Sequence, residues 1–219
     1  VLHVSGALAW FLSQDQLWRT DGTEGGTVRI GAGVPCDPPR PFCPPGPSLP
    51  FTVDTVATTA AGAVFHSEHP ERTGLWFAGG SPGIDGITFL GAIDVSLGLT
   101  AVGDRVYFRG NDGVSGFEPW VSDGTVGGTF RGRDGRPGPS GSNPVGFTAV
   151  GDRVLFAADD GATGFEPWVT DGTPAGTQLV LDTTPGPVTP LPPAPVPAGP
   201  LAFFLVNDGS VSAGPDGYA

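Results

Sequence analysis

Phe117-Glu118-Pro119-Trp120-Val121-Ser122-Asp123-Gly124-Thr125-Val126-Gly127-Gly128-Thr129 returns, nearly letter for letter, as Phe165-Glu166-Pro167-Trp168-Val169-Thr170-Asp171-Gly172-Thr173-Pro174-Ala175-Gly176-Thr177. Trp120 and Trp168 stand 48 residues apart, as do Asp123 and Asp171. A fixed spacing in that range marks a repeat architecture, in which one small unit buries its faces only by stacking on its own copies.

The match extends upstream. Leu99-Thr100-Ala101-Val102-Gly103-Asp104-Arg105-Val106-Tyr107-Phe108 corresponds to Phe147-Thr148-Ala149-Val150-Gly151-Asp152-Arg153-Val154-Leu155-Phe156. Two short apolar runs around Gly-Asp predict a two-residue β-hairpin. A polar loop follows, Asn111-Asp112-Gly113 in one copy and Asp159-Asp160-Gly161 in the other. Glu-Pro-Trp then opens a third strand, and Asp-Gly-Thr turns the chain into a fourth. No window between units has helical periodicity. Each unit thus reads as four antiparallel strands.

Three further copies are more worn. Gln16-Leu17-Trp18-Arg19-Thr20-Asp21-Gly22-Thr23 restores the motif in full, whereas Gly74-Leu75-Trp76-Phe77 keeps the Trp and has lost the Asp. A fifth copy offers Phe203-Phe204 and Asn207-Asp208-Gly209 and then fades. The units fall at about 1–32, 51–94, 95–142, 143–190 and 191–219, with a Cys/Pro-rich insertion at 33–50. Small sheets stacked face to face around an axis are the β-propeller solution. The expectation is an all-β, single-domain propeller of four-stranded antiparallel blades, most simply five. The alternative is part of a larger propeller.

Trp18, Trp76, Trp120 and Trp168 sit where blades would pack, and a buried aromatic contributes roughly 2–3 kcal/mol from area alone. Asp21, Asp123 and Asp171 read as turn caps: Asp accepts main-chain N–H bonds, Gly takes the left-handed conformation and Thr ties the loop back. These units resemble the bacterial ELWxxDGT repeat family, in Gln16 to Thr23 and in the two Glu-Pro-Trp versions. The resemblance implies a propeller-like fold in a large secreted or surface protein and brings no common activity with it. The turn also resembles the Asp-box hairpin of sialidase-type propellers, a structural device there. Repeat length and size are similar to those of five-bladed animal lectins of the tachylectin type. Pro119 and Pro167 replace the family's Leu, which favours an edge or bulged position in the strand.

The chain has 37 Gly and 25 Pro in 219 residues, and all ten basic residues are Arg. A net charge of −12 argues against a phosphate-backbone partner, which clustered Lys and Arg would mark. No apolar run reaches the roughly 20 residues of a membrane span. Cys36 and Cys43, within a proline-rich stretch, suit a loop-closing disulfide better than a zinc site or a nucleophile. That pairing predicts an oxidising compartment, secreted, periplasmic or at the cell surface. Val1 opens neither an initiator Met nor a signal peptide, so the expectation is a mature or excised portion of a longer precursor.

Candidate sites are few. His66-Ser67-Glu68-His69, placed in the loop after the second strand of copy two, is the one local cluster with metal-ligand chemistry. Asp112, Asp159 and Asp160 gather oxygen ligands of the kind calcium takes, although they lack EF-hand spacing and Asx-Gly turns are the ordinary explanation. Gly79-Gly80-Ser81-Pro82-Gly83 has the letters of a nucleophile elbow, but lacks strand-to-helix context and the N–H that Pro82 cannot give. No catalytic constellation is visible and no cofactor is called for, calcium excepted. The reading is a non-catalytic binding module. Carbohydrate comes first, through Asp112, Asp160, Glu118 and Glu166 at repeated inter-blade grooves; a protein-interaction scaffold comes second and a hydrolase a distant third.

Overall fold

A computed structural model describes residues 2–5, 7–13, 16–30, 52–68, 72–79, 87–183, 186, 195–198 and 201–203. The described residues form strands and turns without a helix, so no helix is long and apolar enough to cross a membrane.

Four four-stranded antiparallel sheets follow one another along the chain. The first holds β1 (Leu2–Ser5), β2 (Leu8–Ser13), β3 (Gln16–Thr20) and β4 (Val28–Arg29). The second holds β5 (Thr52–Thr59), β6 (Gly62–Glu68), β7 (Gly74–Gly79) and β8 (Ile87–Gly91). The third runs from β9 (Asp94–Val102) through β10 (Arg105–Asn111) and β11 (Phe117–Ser122) to β12 (Phe130–Arg131). The fourth repeats this with β13 (Val145–Val150), β14 (Arg153–Asp159), β15 (Phe165–Thr170) and β16 (Gln178–Leu179). A hairpin, β17 (Val196–Ala198) and β18 (Leu201–Phe203), follows them. First strands lie beside first strands, β1 against β5, β5 against β9, β9 against β13 and β13 against β17. That is the arrangement of propeller blades.

Register explains the packing. In every four-stranded sheet a Phe of the second strand lies directly across from the motif Trp of the third: Phe11 from Trp18, Phe65 from Trp76, Phe108 from Trp120 and Phe156 from Trp168. Such cross-strand aromatic pairs are a unit of sheet stabilisation. They define an aromatic face on each sheet. The residue before each Phe (Trp10, Val64, Tyr107, Leu155) points to the reverse face, because strand side chains alternate.

Each junction joins unlike faces. Trp10 and Leu17 on the reverse of the first sheet share a core with Phe65 and Trp76 of the second. Val64 and Leu75 on the reverse of the second share one with Val106 and Phe108 of the third. Tyr107 and Val121 then meet Val154 and Phe147 of the fourth. A single rule therefore builds the stack: reverse face onto the next aromatic face.

The prolines fit this plan for a backbone reason. The carbonyls of Leu17, Pro119 and Pro167 each accept the N–H of the residue just past a two-residue fourth strand, Ile30, Gly132 and Val180, all at 2.8 Å. A strand residue turns its N–H and C=O to the same side, so the N–H that Pro lacks would face this short outer strand, where few ladder bonds are made.

Candidate functional site

The two ends of the sheets differ in kind. One end carries the Asp-Gly-Thr loops, and they are the same device in three copies. Asp123 Oδ1 accepts the backbone N–H of Thr125 at 2.9 Å and its hydroxyl at 2.7 Å. Thr125 Oγ1 accepts the Gly128 N–H at 2.9 Å, and Thr129 Oγ1 donates to the Thr125 carbonyl at 2.7 Å. Ser122 Oγ accepts the Gly124 N–H at 3.1 Å and lies 2.7 Å from Thr129 Oγ1. Asp21 and Asp171 make the corresponding bonds. These hydrogen bonds hold the Asp21, Asp123 and Asp171 carboxyls below the ordinary 3.8, with the threonine hydroxyl the largest cause.

One residue of this loop escaped the sequence reading. A Cβ on Gly128 would lie 2.0 Å from Asp123 Oδ1, and Gly26 and Gly176 stand in the same relation to Asp21 and Asp171. The Gly five residues after each Asp is required by close approach, and its constant offset was the available signal. Gly128→Ala is therefore expected to push the Asp123 carboxylate off its donors. It should cost about 1–2 kcal/mol, the same as Asp123→Ala, with the double variant no worse than either. Because the folded carboxyl is depressed, its contribution is present above pH 3.8 and is lost as pH falls through the folded value. Urea midpoints of the four proteins at neutral and acid pH check both statements.

At the other end lie the loops between second and third strands, the starts of the first strands and the segments joining one sheet to the next. Glu118 and Glu166, placed among the ligand-binding candidates, are fully buried here. Glu118 Oε1 accepts the N–H groups of Ser142 at 2.9 Å and Arg136 at 3.2 Å; Oε2 accepts the Gly135 N–H at 3.1 Å and the Ser142 hydroxyl at 2.5 Å. Burial pushes this carboxyl above the ordinary 4.5, and the four donors work against that rise. Glu166 Oε2 accepts the N–H of Thr183 at 2.9 Å and its hydroxyl at 2.5 Å. Each Glu fastens the segment leading out of its own sheet, so these oxygens face protein donors.

Asp112 and Asp160 are likewise occupied. Asp112 Oδ1 accepts the N–H groups of Val114 and Ser115, both at 2.9 Å, and Asp160 Oδ1 those of Ala162 at 2.8 Å and Thr163 at 2.7 Å. Asp159 accepts the Gly161 N–H at 2.7 Å and pairs with Arg136 Nη1 at 2.6 Å, which ties the joining segment to the fourth sheet. Among the described residues, no three His, Cys, Asp or Glu side chains converge as a metal site.

The placement of His66 in a loop needs correction: β6 runs on to Glu68 and holds His66 inside the second sheet, 2% exposed. Alternation puts its ring on the reverse face with Val64, and Nδ1 lies 3.0 and 2.8 Å from the two Asp54 oxygens. Among the described residues, Nε2 is buried without a hydrogen-bond partner. His69, Cys36, Cys43 and Ser81 lie outside the described residues.

The same end carries a bulge in three first strands, between Val53 and Thr55, at Leu97-Gly98 opposite Phe108/Arg109, and between Val145 and Thr148. Asp54 and Leu97 lie in their bulges, whereas Val145, at the matching position, pairs with Ala157 at the edge of its own. Leu97 has φ +65° and is 74% exposed. A left-handed conformation in a branched residue costs about 1–2 kcal/mol, and bulges concentrate where a side chain is re-aimed.

No family model matches the chain, and no curated protein does either. Among solved structures, a puromycin hydrolase mutant crystallised with PGG superposes at a TM-score of 0.51 and 14% identity. The match covers 81% of this chain and 28% of the hydrolase, so the chain spans little more than a quarter of that protein. At this identity the likeness concerns the fold alone. The chain is an all-β array of four-stranded, propeller-type blades.

Proposed function

We propose that the chain is a non-catalytic binding module, of the ELWxxDGT repeat type, that engages a protein partner with the bulged end of its blades. The observation that carries this reading is Leu97: a large apolar side chain, 74% exposed and held at φ +65°. Val114, in the loop between β10 and β11 at the same end, is also 74% exposed. Exposed apolar groups in a strained frame suit a partner that covers them. The copies also diverge here, with Asp54, Leu97 and Val145 at one position, while three of the four sheets carry the same Asp-Gly-Thr device at the other end. Specificity resides where copies differ.

Carbohydrate binding through Asp112 and Asp160 is the competing outcome. Their best acceptor oxygens are engaged in their own turns, which supports the protein reading over it. Leu97→Asp is expected to abolish binding on a protein array while leaving the melting temperature within a few degrees of wild type, and glycan-array signal should be absent. Glycan signal that survives Leu97→Asp and vanishes in Asp112→Ala/Asp160→Ala would replace this reading.

A further inference from the structure

The residue after each second-strand Phe changes its chemistry from sheet to sheet: Leu12, His66, Arg109 and Ala157. In the second sheet the bulge residue Asp54 meets His66 with its carboxylate, 2.8 and 3.0 Å from Nδ1. In the third sheet Leu97 stands in the place of Asp54, within the bulge across from Phe108/Arg109. The basic group is present in both sheets. Its acid is present in one.

Arg109 is nevertheless held in a fixed setting. Its guanidinium lies over the Phe117 ring, 4.3 Å from the centroid, and Nη2 donates to Asn143 Oδ1 at 2.9 Å. The Asn143 amide is itself oriented, because its nitrogen donates to the carbonyls of Ser140 at 3.0 Å and Gly141 at 3.2 Å. Among the described residues, which run unbroken from 87 to 183 around Arg109, no carboxylate pairs with it, and its Nε is buried without a partner. Ser96 lies directly across from Arg109, hence on the same face, and its hydroxyl is also buried without a partner. Burial holds the guanidinium below its ordinary pKa, and the charge of Asp94, exposed at the start of β9, works against that. A stacked, oriented, half-buried cation without an acid is one half of an ion pair.

Resting on the reading of the bulged end as a protein-binding surface, we propose that Arg109 seats an Asp or Glu side chain of the partner, with an apolar neighbour of that acid packing on Leu97. The partner supplies from outside what Asp54 supplies from within one sheet earlier. A guanidinium oriented before contact has little left to order on binding. The chain carries −12 overall, so an acidic segment is repelled elsewhere on its surface and Arg109 sets where it lands.

The missing pair can be rebuilt within the chain. Leu97→Asp restores the arrangement of Asp54 and should melt higher than Leu97→Asn, which tolerates the positive φ as well but brings no charge. The difference should vanish when each is combined with Arg109→Gln. Equal melting of the two Leu97 variants beside an intact Arg109 overturns the proposal, because a carboxylate at the bulge then does not reach the guanidinium. For binding, random dodecapeptides displayed on phage are selected on the full chain, and the hits are synthesised with amidated C-termini. The hits should carry Asp or Glu beside an apolar residue. Arg109→Gln, or replacement of the peptide acid by its amide, should weaken binding by about tenfold or more, and the two together no further. Hits without an acid, hits that stop binding once amidated, or full binding by Arg109→Gln overturn the seat, while loss of binding in Leu97→Ser would still uphold the protein-binding surface. Binding indifferent to both Leu97 and Arg109 overturns both. Should Arg109→Gln lose its circular dichroism, Arg109→Lys makes the same comparison through loss of the planar fork.

Discussion

Glu118→Ala is expected to lower stability by about 3–5 kcal/mol, with the loss centred on the segment between the third and fourth sheets. The side chain is fully buried, and its two oxygens satisfy the N–H groups of Gly135, Arg136 and Ser142 and the Ser142 hydroxyl. Truncation strands those donors, and a buried donor left without a partner costs about 1–3 kcal/mol. Some of the donors will find water as the segment loosens, so the full sum is not reached. Glu118→Gln keeps the shape but turns an amide NH2 towards groups that are themselves donors, and should recover little. Glu24→Ala, on an exposed turn residue, is the control, within about 0.5 kcal/mol of wild type. Denaturant midpoints give the size, and hydrogen exchange over residues 132–144 gives the place. A loss below 1 kcal/mol, or one spread evenly over the chain, would show that Glu118 is not a fastener.

The second large effect compares one residue type at one sheet position in two settings. Phe108→Ala should cost about 3–5 kcal/mol, because it empties a site of zero exposure between the second and third sheets. Phe11→Ala should cost no more than about half as much, because Phe11 is only half-buried and its truncation empties less enclosed volume. Both residues face a motif Trp across the strand pair, Trp120 and Trp18. The cross-strand contact is therefore held constant, and the difference reports the junction. Equal losses would mean that the Phe–Trp pair acts within its own sheet and that stacking adds little.

The fold was legible because its signals are local and repeated. Trp-x-x-Asp-Gly-Thr specifies a strand and a capped hairpin without reference to anything distant, and the 48-residue spacing orders the copies. Glu118 shows where that legibility stops. In sequence it is an acid beside an aromatic, the composition of a sugar site, and nothing adjacent reveals that its partners lie 17 to 24 residues ahead. The informative comparison was between copies: Gly135 and Thr183 share a phase, and each gives its N–H to the Glu of its own unit. His66 was misplaced for a related reason. Its strand outruns the corresponding apolar run, since the residues that extend it, Ser67 and Glu68, are polar. The bulges could not be read at all, because the Gly-rich first strands Ser96-Leu97-Gly98 and Val145-Gly146 carry no alternation from which to count register.

The fasteners run in one direction only. Glu118 holds the stretch that follows its own sheet, and Glu166 does the same one unit later. A duplicated 48-residue segment therefore inherits, in one piece, a blade together with the hook for whatever comes next. Such a gene segment can be copied in tandem without compensating changes elsewhere, and a worn copy loses its hold on one neighbour only. The second sheet, where Gly74 stands in the place of Glu118, has lost that hook and still stacks through its core.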